Sequence, residues 1–192
     1  MNKLIKPIIR TLAQIAVVFG VCACQSMPHA QEDYVQPNVE YKHYSLTLIG
    51  MNYTNRYIDQ FFVNGQGGGN LFVSTPTSGG GKSACCVGWS TTTKLPVKVK
   101  VKWHSGGCTI TEVTRSGYQF KTNRSFFKEK EVTFNGPVPN SPKYFVVHIY
   151  ENDDVEISIS DDYPAPRLQL SEGRRDRTPY PPCDQNGVSD GN

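Results

Sequence analysis

The sequence has 192 residues, 38% of them hydrophobic, which is enough for one ordinary domain. Its 20 basic and 17 acidic side chains give a formal charge of +3. That excess comes from Lys3, Lys6 and Arg10, because removing these three leaves 17 residues of each sign. This balance argues against a nucleic-acid-binding domain, which concentrates Lys and Arg on one face.

The N-terminus has the pattern of an export signal. A basic start is followed by the apolar run 11–21, which is too short to remain as a membrane-spanning helix. The run ends in Val21-Cys22-Ala23-Cys24, which resembles a bacterial lipobox. We therefore expect residues 1–23 to be a lipoprotein signal peptide and Cys24 to be lipidated. Gln25 follows in place of Asp, which indicates retention in the outer membrane, so we expect a periplasmic protein anchored to the inner leaflet of that membrane.

Composition divides the rest of the chain into three segments. Residues 24–40 are polar with little periodicity and are interpreted as a tether. Residues 41–170 have the size of one domain. Residues 171–192 are polar and rich in Pro and Gly, which predicts a flexible C-terminal tail.

The central segment has the periodicity of strands. Val97 to Trp103 alternates apolar residues with lysines, so one face is buried and the other is solvated. Tyr144–Tyr150 and Val155–Ile159 are joined by turn residues and predict a hairpin. Five further strands are predicted, at Tyr44–Met51, Tyr57–Val63, Leu71–Ser74, Cys85–Trp89 and Glu129–Phe134. The pattern predicts an all-β fold: a single antiparallel β-sandwich or open barrel domain behind the signal and the tether.

Two glycine-rich segments, Asn64–Asn70 and Pro76–Ala84, flank a short apolar run. The second contains Gly81-Lys82-Ser83, which is the end of a phosphate-binding P-loop motif. A P-loop needs a glycine where this sequence has Pro76, and it leads into a helix, whereas a strand is predicted here. We therefore expect no nucleotide, and we interpret both segments as exposed loops at opposite ends of one strand.

Catalytic and metal-binding patterns are not indicated by the sequence. It contains no G-x-S-x-G motif, and its four histidines are scattered. His104 and Cys108 come closest to a metal-ligand pair, but a strand-end histidine and a disulfide cysteine are the more ordinary interpretation. We expect a protein that is not an enzyme and that uses no cofactor and no metal.

Four cysteines follow the lipobox, and an oxidising compartment would allow them to pair. A bond between the adjacent Cys85 and Cys86 would be strained. If Cys85 shares the inward face of its strand with Val87 and Trp89, it is placed to reach Cys108. Cys86 would then be free or paired with Cys183, and a bond from Cys86 to Cys108 is nearly as well supported.

Three motifs together resemble a proteobacterial lipoprotein family of unknown function. They are the glycine-rich stretch 51–89 with its Cys-Cys pair, the lysine-alternating strand at 95–103 with Cys108, and the closing stretch 144–170. Members of this family are found beside type VI secretion genes and secreted lipases. The resemblance implies an immunity protein that binds and inhibits a secreted lipase or phospholipase effector in the periplasm.

For such an inhibitor we expect the glycine segments and their neighbours to form or border the partner-binding surface. The candidate residues are Tyr53, Arg56, Tyr57, Asn64, Gln66 and Lys82; either tyrosine could equally be a core residue. The expected partners are the cognate effector and, through the N-terminal lipid, the membrane; no nucleic acid is expected. The first alternative is a structural or assembly lipoprotein of the outer membrane that has no toxin partner. The second is a secreted hydrolase that uses an unrecognised site.

Overall fold

The computed structural model describes residues 41–184, so the predicted signal peptide, Cys24, the tether and the end of the tail lie outside the described residues. Eight strands and one short 3₁₀ helix, Glu172–Arg174, make up the regular structure of this part. In chain order the strands are β1 (His43–Asn52), β2 (Ile58–Val63), β3 (Gln66–Leu71), β4 (Gly80–Ser90), β5 (Val97–Val113), β6 (Gln119–Phe134), β7 (Tyr144–Ile149) and β8 (Val155–Ser160).

All eight strands belong to one curled sheet that forms a half-barrel. Their order is β6-β5-β2-β3-β4-β1-β7-β8. The neighbouring strands are antiparallel except for β1 and β7, which run parallel. The predicted all-β class is confirmed, in the form of an open barrel with one parallel pair.

The concave face of the sheet carries the core. On β5, Val99, Val101 and Trp103 are buried while the lysines between them are exposed, as the alternation predicts. The adjoining strands contribute other large buried side chains, among them Phe61, Leu46 and Phe145. Burial of these side chains is the main source of stability for the curled sheet.

The two edges of the sheet approach each other through charged side chains. Lys128 and Lys130 of β6 form ion pairs of 2.5 and 2.7 Å with Asp153 and Asp154, which lie in the turn between β7 and β8. All four side chains are about half exposed, so water screens both pairs and they add little to stability. The apolar core therefore sets the curvature, and the ion pairs join edges that are already close.

The glycine-rich segments were interpreted as exposed loops, but they form parts of β3 and β4 and the tight turns beside them. Asn64 and Gly65 form a two-residue hairpin turn with φ of 47° and 86°, and β3 begins directly afterwards. Within β3, a Cβ on Gly68 would overlap the ring of the buried Phe61. Glycine is needed at position 68 because the Phe61 side chain fills the space that a Cβ would occupy. A strand rich in glycine shows no hydrophobic alternation, so the sequence pattern does not reveal β3.

The C-terminal segment 171–184, called the strap below, lies against the sheet, whereas composition predicted a flexible tail. Arg174 donates to the Ser74 carbonyl at 2.8 Å and to the Thr54 carbonyl at 3.2 Å. Further along, the backbone of Thr109 on β5 bonds with Pro181 and Cys183. These contacts are long-range in sequence, so composition and periodicity do not reveal them.

The disulfides join Cys85 to Cys86 and Cys108 to Cys183, which differs from the favoured pairing of Cys85 or Cys86 with Cys108. The reason is a β-bulge in β4. Between the pairs Leu46↔Val87 and Leu48↔Ala84, β1 advances by two residues and β4 by three. The extra residue shifts the alternation, so Cys85 is exposed on the surface and does not face the core.

Candidate functional site

The loop between β1 and β2 presents the polar side chains of the candidate site. Asn52 organises this loop: its Oδ1 accepts from the Thr54 backbone N–H at 2.9 Å, and its Nδ2 donates to the Arg56 carbonyl at 2.7 Å. Asn52 itself is buried at the end of β1. The short loop is therefore fixed by side-chain-to-backbone bonds, and it holds Arg56 and Tyr57 in a defined position.

Arg56 connects this loop to the strap. Its guanidinium binds Asp176, with a closest N–O distance of 2.7 Å, donates to the Thr178 carbonyl at 3.1 Å and lies 5.2 Å from the centre of the Tyr180 ring. The Thr178 N–H and the Arg56 guanidinium lower the pKa of Asp176 to about 2. The pair is therefore ionised at neutral pH.

Two adjoining clefts share Arg56, Tyr57 and Tyr180. One, of about 170 Å³, extends toward His104 and the β7–β8 turn, and the other, of about 450 Å³, extends along the strap. Tyr57 is held by a 2.7 Å bond from Asn70 and by its ring contact with Phe72, with ring centres 5.3 Å apart. We call Arg56, Tyr57, Tyr180 and the two clefts the Arg56 surface.

His104 lies at the end of the smaller cleft and is almost fully buried. Its Nδ1 accepts from the Asp59 backbone N–H at 3.3 Å, so the proton resides on Nε2, which has no hydrogen-bond partner within residues 41–184. Burial lowers the pKa of His104, with a smaller contribution from Arg56, and the Gly106 carbonyl and Asp59 oppose the shift. His104 is thus a neutral donor. In the sequence His104 stands where the alternation of β5 places a polar, solvated residue, so no sequence signal indicates its burial.

Tyr53 lies in the core, so the surface role predicted for it is wrong. It is only 2% exposed, and its ring stacks on His148 and Tyr150. Its hydroxyl accepts from the Arg167 backbone N–H at 2.7 Å. The sequence shows a tyrosine beside a loop, but the parallel β1–β7 pair, which brings His148 beside it, is a tertiary feature.

The remaining candidates lie away from the Arg56 surface. Asn64 is in the turn after β2, whereas Arg56 precedes β2, so the two occupy opposite ends of that strand. Asn64 accepts from the Lys100 backbone N–H at 2.8 Å, and Gln66 donates to the Cys85 carbonyl at 2.9 Å. Lys82 is exposed on β4. Of the six candidates, only Arg56 and Tyr57 therefore lie on the Arg56 surface.

Chemically, the Arg56 surface offers a guanidinium, two tyrosine rings and neighbouring carboxylates. Within residues 41–184, no group of three or more His, Cys, Asp or Glu side chains is arranged to hold a metal ion. The same part of the chain contains no helix long and apolar enough to cross a membrane.

Fold and site together define the described chain as an all-β half-barrel protein with a polar surface bordered by a C-terminal strap. The family model described as "Protein of unknown function (DUF3304)" matches residues 51–157, which is more than half of the chain. The chain belongs to this family. No curated protein and no solved structure matches it. The matched region ends before the strap, so Arg56 and Tyr57 lie inside it and Asp176 and Tyr180 lie outside it.

Proposed function

We propose that this protein is a periplasmic, membrane-anchored immunity lipoprotein that binds and inhibits a type VI secreted lipase or phospholipase effector. The signal-like N-terminus and the lipobox ending at Cys24 support anchoring, and the motif resemblance supports the type of partner. The observation that carries a binding role is the Arg56 surface.

Arg56, Tyr57 and Tyr180 have the residue types that dominate binding energy at protein interfaces. Their side chains are partly exposed and are held in place by Asp176, Asn70 and the strap. A surface that is already ordered loses little side-chain entropy on binding, so more of the contact energy appears as affinity. A stoichiometric inhibitor needs such a surface and no catalytic residues.

Anchoring would increase the effect of this binding. A phospholipase acts on the membrane, and a lipid anchor concentrates the inhibitor at the same surface. The chains of a bacterial lipoprotein anchor would hold more firmly than one acyl chain, which binds reversibly. Inhibition at the membrane is therefore the arrangement that we propose.

The test begins with capture of the effector. A chain beginning at Gln25 is used as bait in a lysate of the source organism with its secretion system active, and we expect one near-stoichiometric lipase. The recovered enzyme is then assayed on phospholipid vesicles with increasing amounts of the protein. Recovery of resident envelope proteins alone, or of a lipase whose activity does not fall, would contradict the proposal.

Variants then test the surface. Replacing Arg56 and Tyr57 together by alanine should weaken inhibition, and Tyr57→Ala, which leaves the Arg56–Asp176 pair intact, separates lost contact from a loosened strap. Lys98→Ala is the matched control, because Lys98 is exposed at the start of β5, away from Arg56. Full inhibition by both Arg56-surface variants would remove this surface from the interface.

A further inference from the structure

The hairpin of β5 and β6 extends beyond the rest of the sheet. β2 pairs with β5 up to Trp103, and the strap bridges β5 at Thr109. Past Thr109, β5 and β6 pair only with each other among the described residues, from Ile110↔Thr122 to Val113↔Gln119. We call this two-stranded projection, residues 110–122, the arm; at about 3.4 Å per residue it is about 15 Å long.

Near the tip, the arm carries exposed apolar side chains on both faces, on either side of a polar turn at residues 114–117. Val113 and Tyr118 are 61% and 68% exposed, and Phe120 is 36% exposed. Val113 is paired with Gln119 and Phe120 with Glu112, so Val113 and Phe120 point to opposite faces of the ribbon. Because the apolar side chains of the arm stay partly or largely exposed, they add little to its stability in water.

Basic residues stand beside and behind this apolar tip. Arg115 lies in the turn, Lys121 is on the face of Val113, and Arg124, just behind the arm, is on the face of Phe120. Between residues 109 and 125 the one acidic residue is Glu112, which accepts a bond from Thr122 at 3.0 Å. Each face thus carries an apolar group toward the tip and a cation behind it.

We propose that the arm inserts its tip into the headgroup region of an anionic phospholipid bilayer. A fluid interface covers both faces of a two-stranded ribbon, whereas a partner protein's flat surface covers one and leaves the other in water. Tyrosine is favoured at membrane interfaces, and Lys and Arg bind anionic headgroups. Lys121 and Arg124 lie behind the apolar side chains, where the phosphates of a bilayer would stand, and Arg115 stays with the polar turn in the headgroup region.

The backbone limits the depth of insertion. Past Thr109 the outer edges of the arm carry N–H and C=O groups that the opposite strand does not reach, and such groups are costly in hydrocarbon. They can stay hydrated in the headgroup region, where interfacial segments bury their apolar side chains by about 5–10 Å. This depth corresponds to the tip and not to the whole arm.

This inference goes beyond the proposed immunity role and does not depend on it, because the ligand is the lipid surface itself. The test uses the full chain with Tyr118→Trp, reconstituted into vesicles whose lipids carry bromine near the headgroup. Tyr163→Trp is the control, because Tyr163 is also 68% exposed. The native Trp89 and Trp103 are buried, so subtracting the wild-type spectrum isolates the new tryptophan.

We expect the emission of Trp at 118 to shift to shorter wavelength and to be quenched in anionic vesicles, with little change at 163. Adding Lys121→Gln and Arg124→Gln to the Tyr118→Trp chain should reduce the quenching. Equal quenching at both sites, equal quenching in neutral and anionic vesicles, or none would overturn the proposal. An emission shift seen only when a lipase is added would also overturn the proposal, because it would assign the tip to a protein partner. A failure of lipase inhibition would contradict the proposed immunity role and leave the vesicle result unaffected.

Discussion

Two adjacent glycines of β3 have different surroundings. A Cβ on Gly68 would overlap the Phe61 ring, whereas a Cβ on Gly67 would have no atom within 4 Å. Gly68→Ala should therefore displace a fully buried ring and lower the free energy of unfolding by about 1–3 kcal/mol, the usual cost of overpacking. Gly67→Ala should change it by less than about 0.5 kcal/mol. Urea unfolding compares them, and equal losses would mean that β3 does not pack against Phe61 as described.

A second prediction at this scale concerns His148. Burial, assisted by Arg167, lowers its pKa from 6.5 to about 3. Between these values the unfolded chain binds a proton that the folded chain does not, so the free energy of unfolding falls as the pH falls, by about 1.4 kcal/mol per pH unit. Above about pH 6.5 the effect is absent.

The measurement is the urea midpoint between about pH 6.5 and pH 4, above the window in which Asp176, with its pKa of about 2, loses its contribution. His148→Gln can keep hydrogen bonds to Tyr53 and Ser158 and should show a shallower slope than the wild type. Burial also lowers the pKa of His104, so the unfolding free energy of the His148→Gln variant should still fall somewhat as the pH falls. The exposed His43→Gln is the control. An unchanged slope in His148→Gln would contradict the assignment.

At the scale of elements, the two disulfides should contribute very differently to stability. Cys108–Cys183 links residues 75 apart, and the chain-entropy estimate for such a loop is about 4 kcal/mol. Cys85–Cys86 links neighbours and closes no long loop. Replacing Cys108 and Cys183 by alanine should therefore lower the unfolding free energy by several times more than replacing Cys85 and Cys86. Chemical unfolding without reductant measures both, and comparable losses would show that the strap bond does not constrain the unfolded chain.

The elements also show which signals the sequence carries. Val97–Trp103 was predictable because its alternation directly reflects one buried and one solvated face. The β7–β8 hairpin was predictable from the β-branched and aromatic residues of β7, which is buried on both faces, and from the turn residues that follow it. β3 was not, because three of its six residues are glycine and show no alternation; of these, Gly68 is the one that packs against Phe61. The cysteine pairing failed at the β4 bulge, since one extra residue reverses the faces that alternation assigns. Arg56 and Tyr57 were selected by residue type near a loop, a criterion that also selected the buried Tyr53.

At the scale of the whole molecule, the strap decides where the folded unit ends. Composition places the end of the domain at residue 170, yet Arg174 reaches back to the buried Ser74 and Cys183 is bonded to Cys108. Tyr180 packs edge-on against His104, with ring centres 6.1 Å apart. The strap therefore donates hydrogen bonds to backbone carbonyls near the end of β1 and covers part of β5. In a chain without the strap, these groups would be exposed to water.

A chain of residues 41–184 is the reference for this test, because the described core lies within that range. A chain of residues 41–170 should unfold at a lower concentration, since it loses the Arg174 bonds, the Arg56–Asp176 pair and the disulfide. Introducing Cys108→Ala and Cys183→Ala into the longer chain separates the disulfide from the other contacts. If these replacements alone reproduce the full loss, the strap acts only as a covalent closure; an intermediate stability shows that Arg174 and Arg56 hold it independently. Equal midpoints for 41–170 and 41–184 would contradict this account and return the boundary to residue 170.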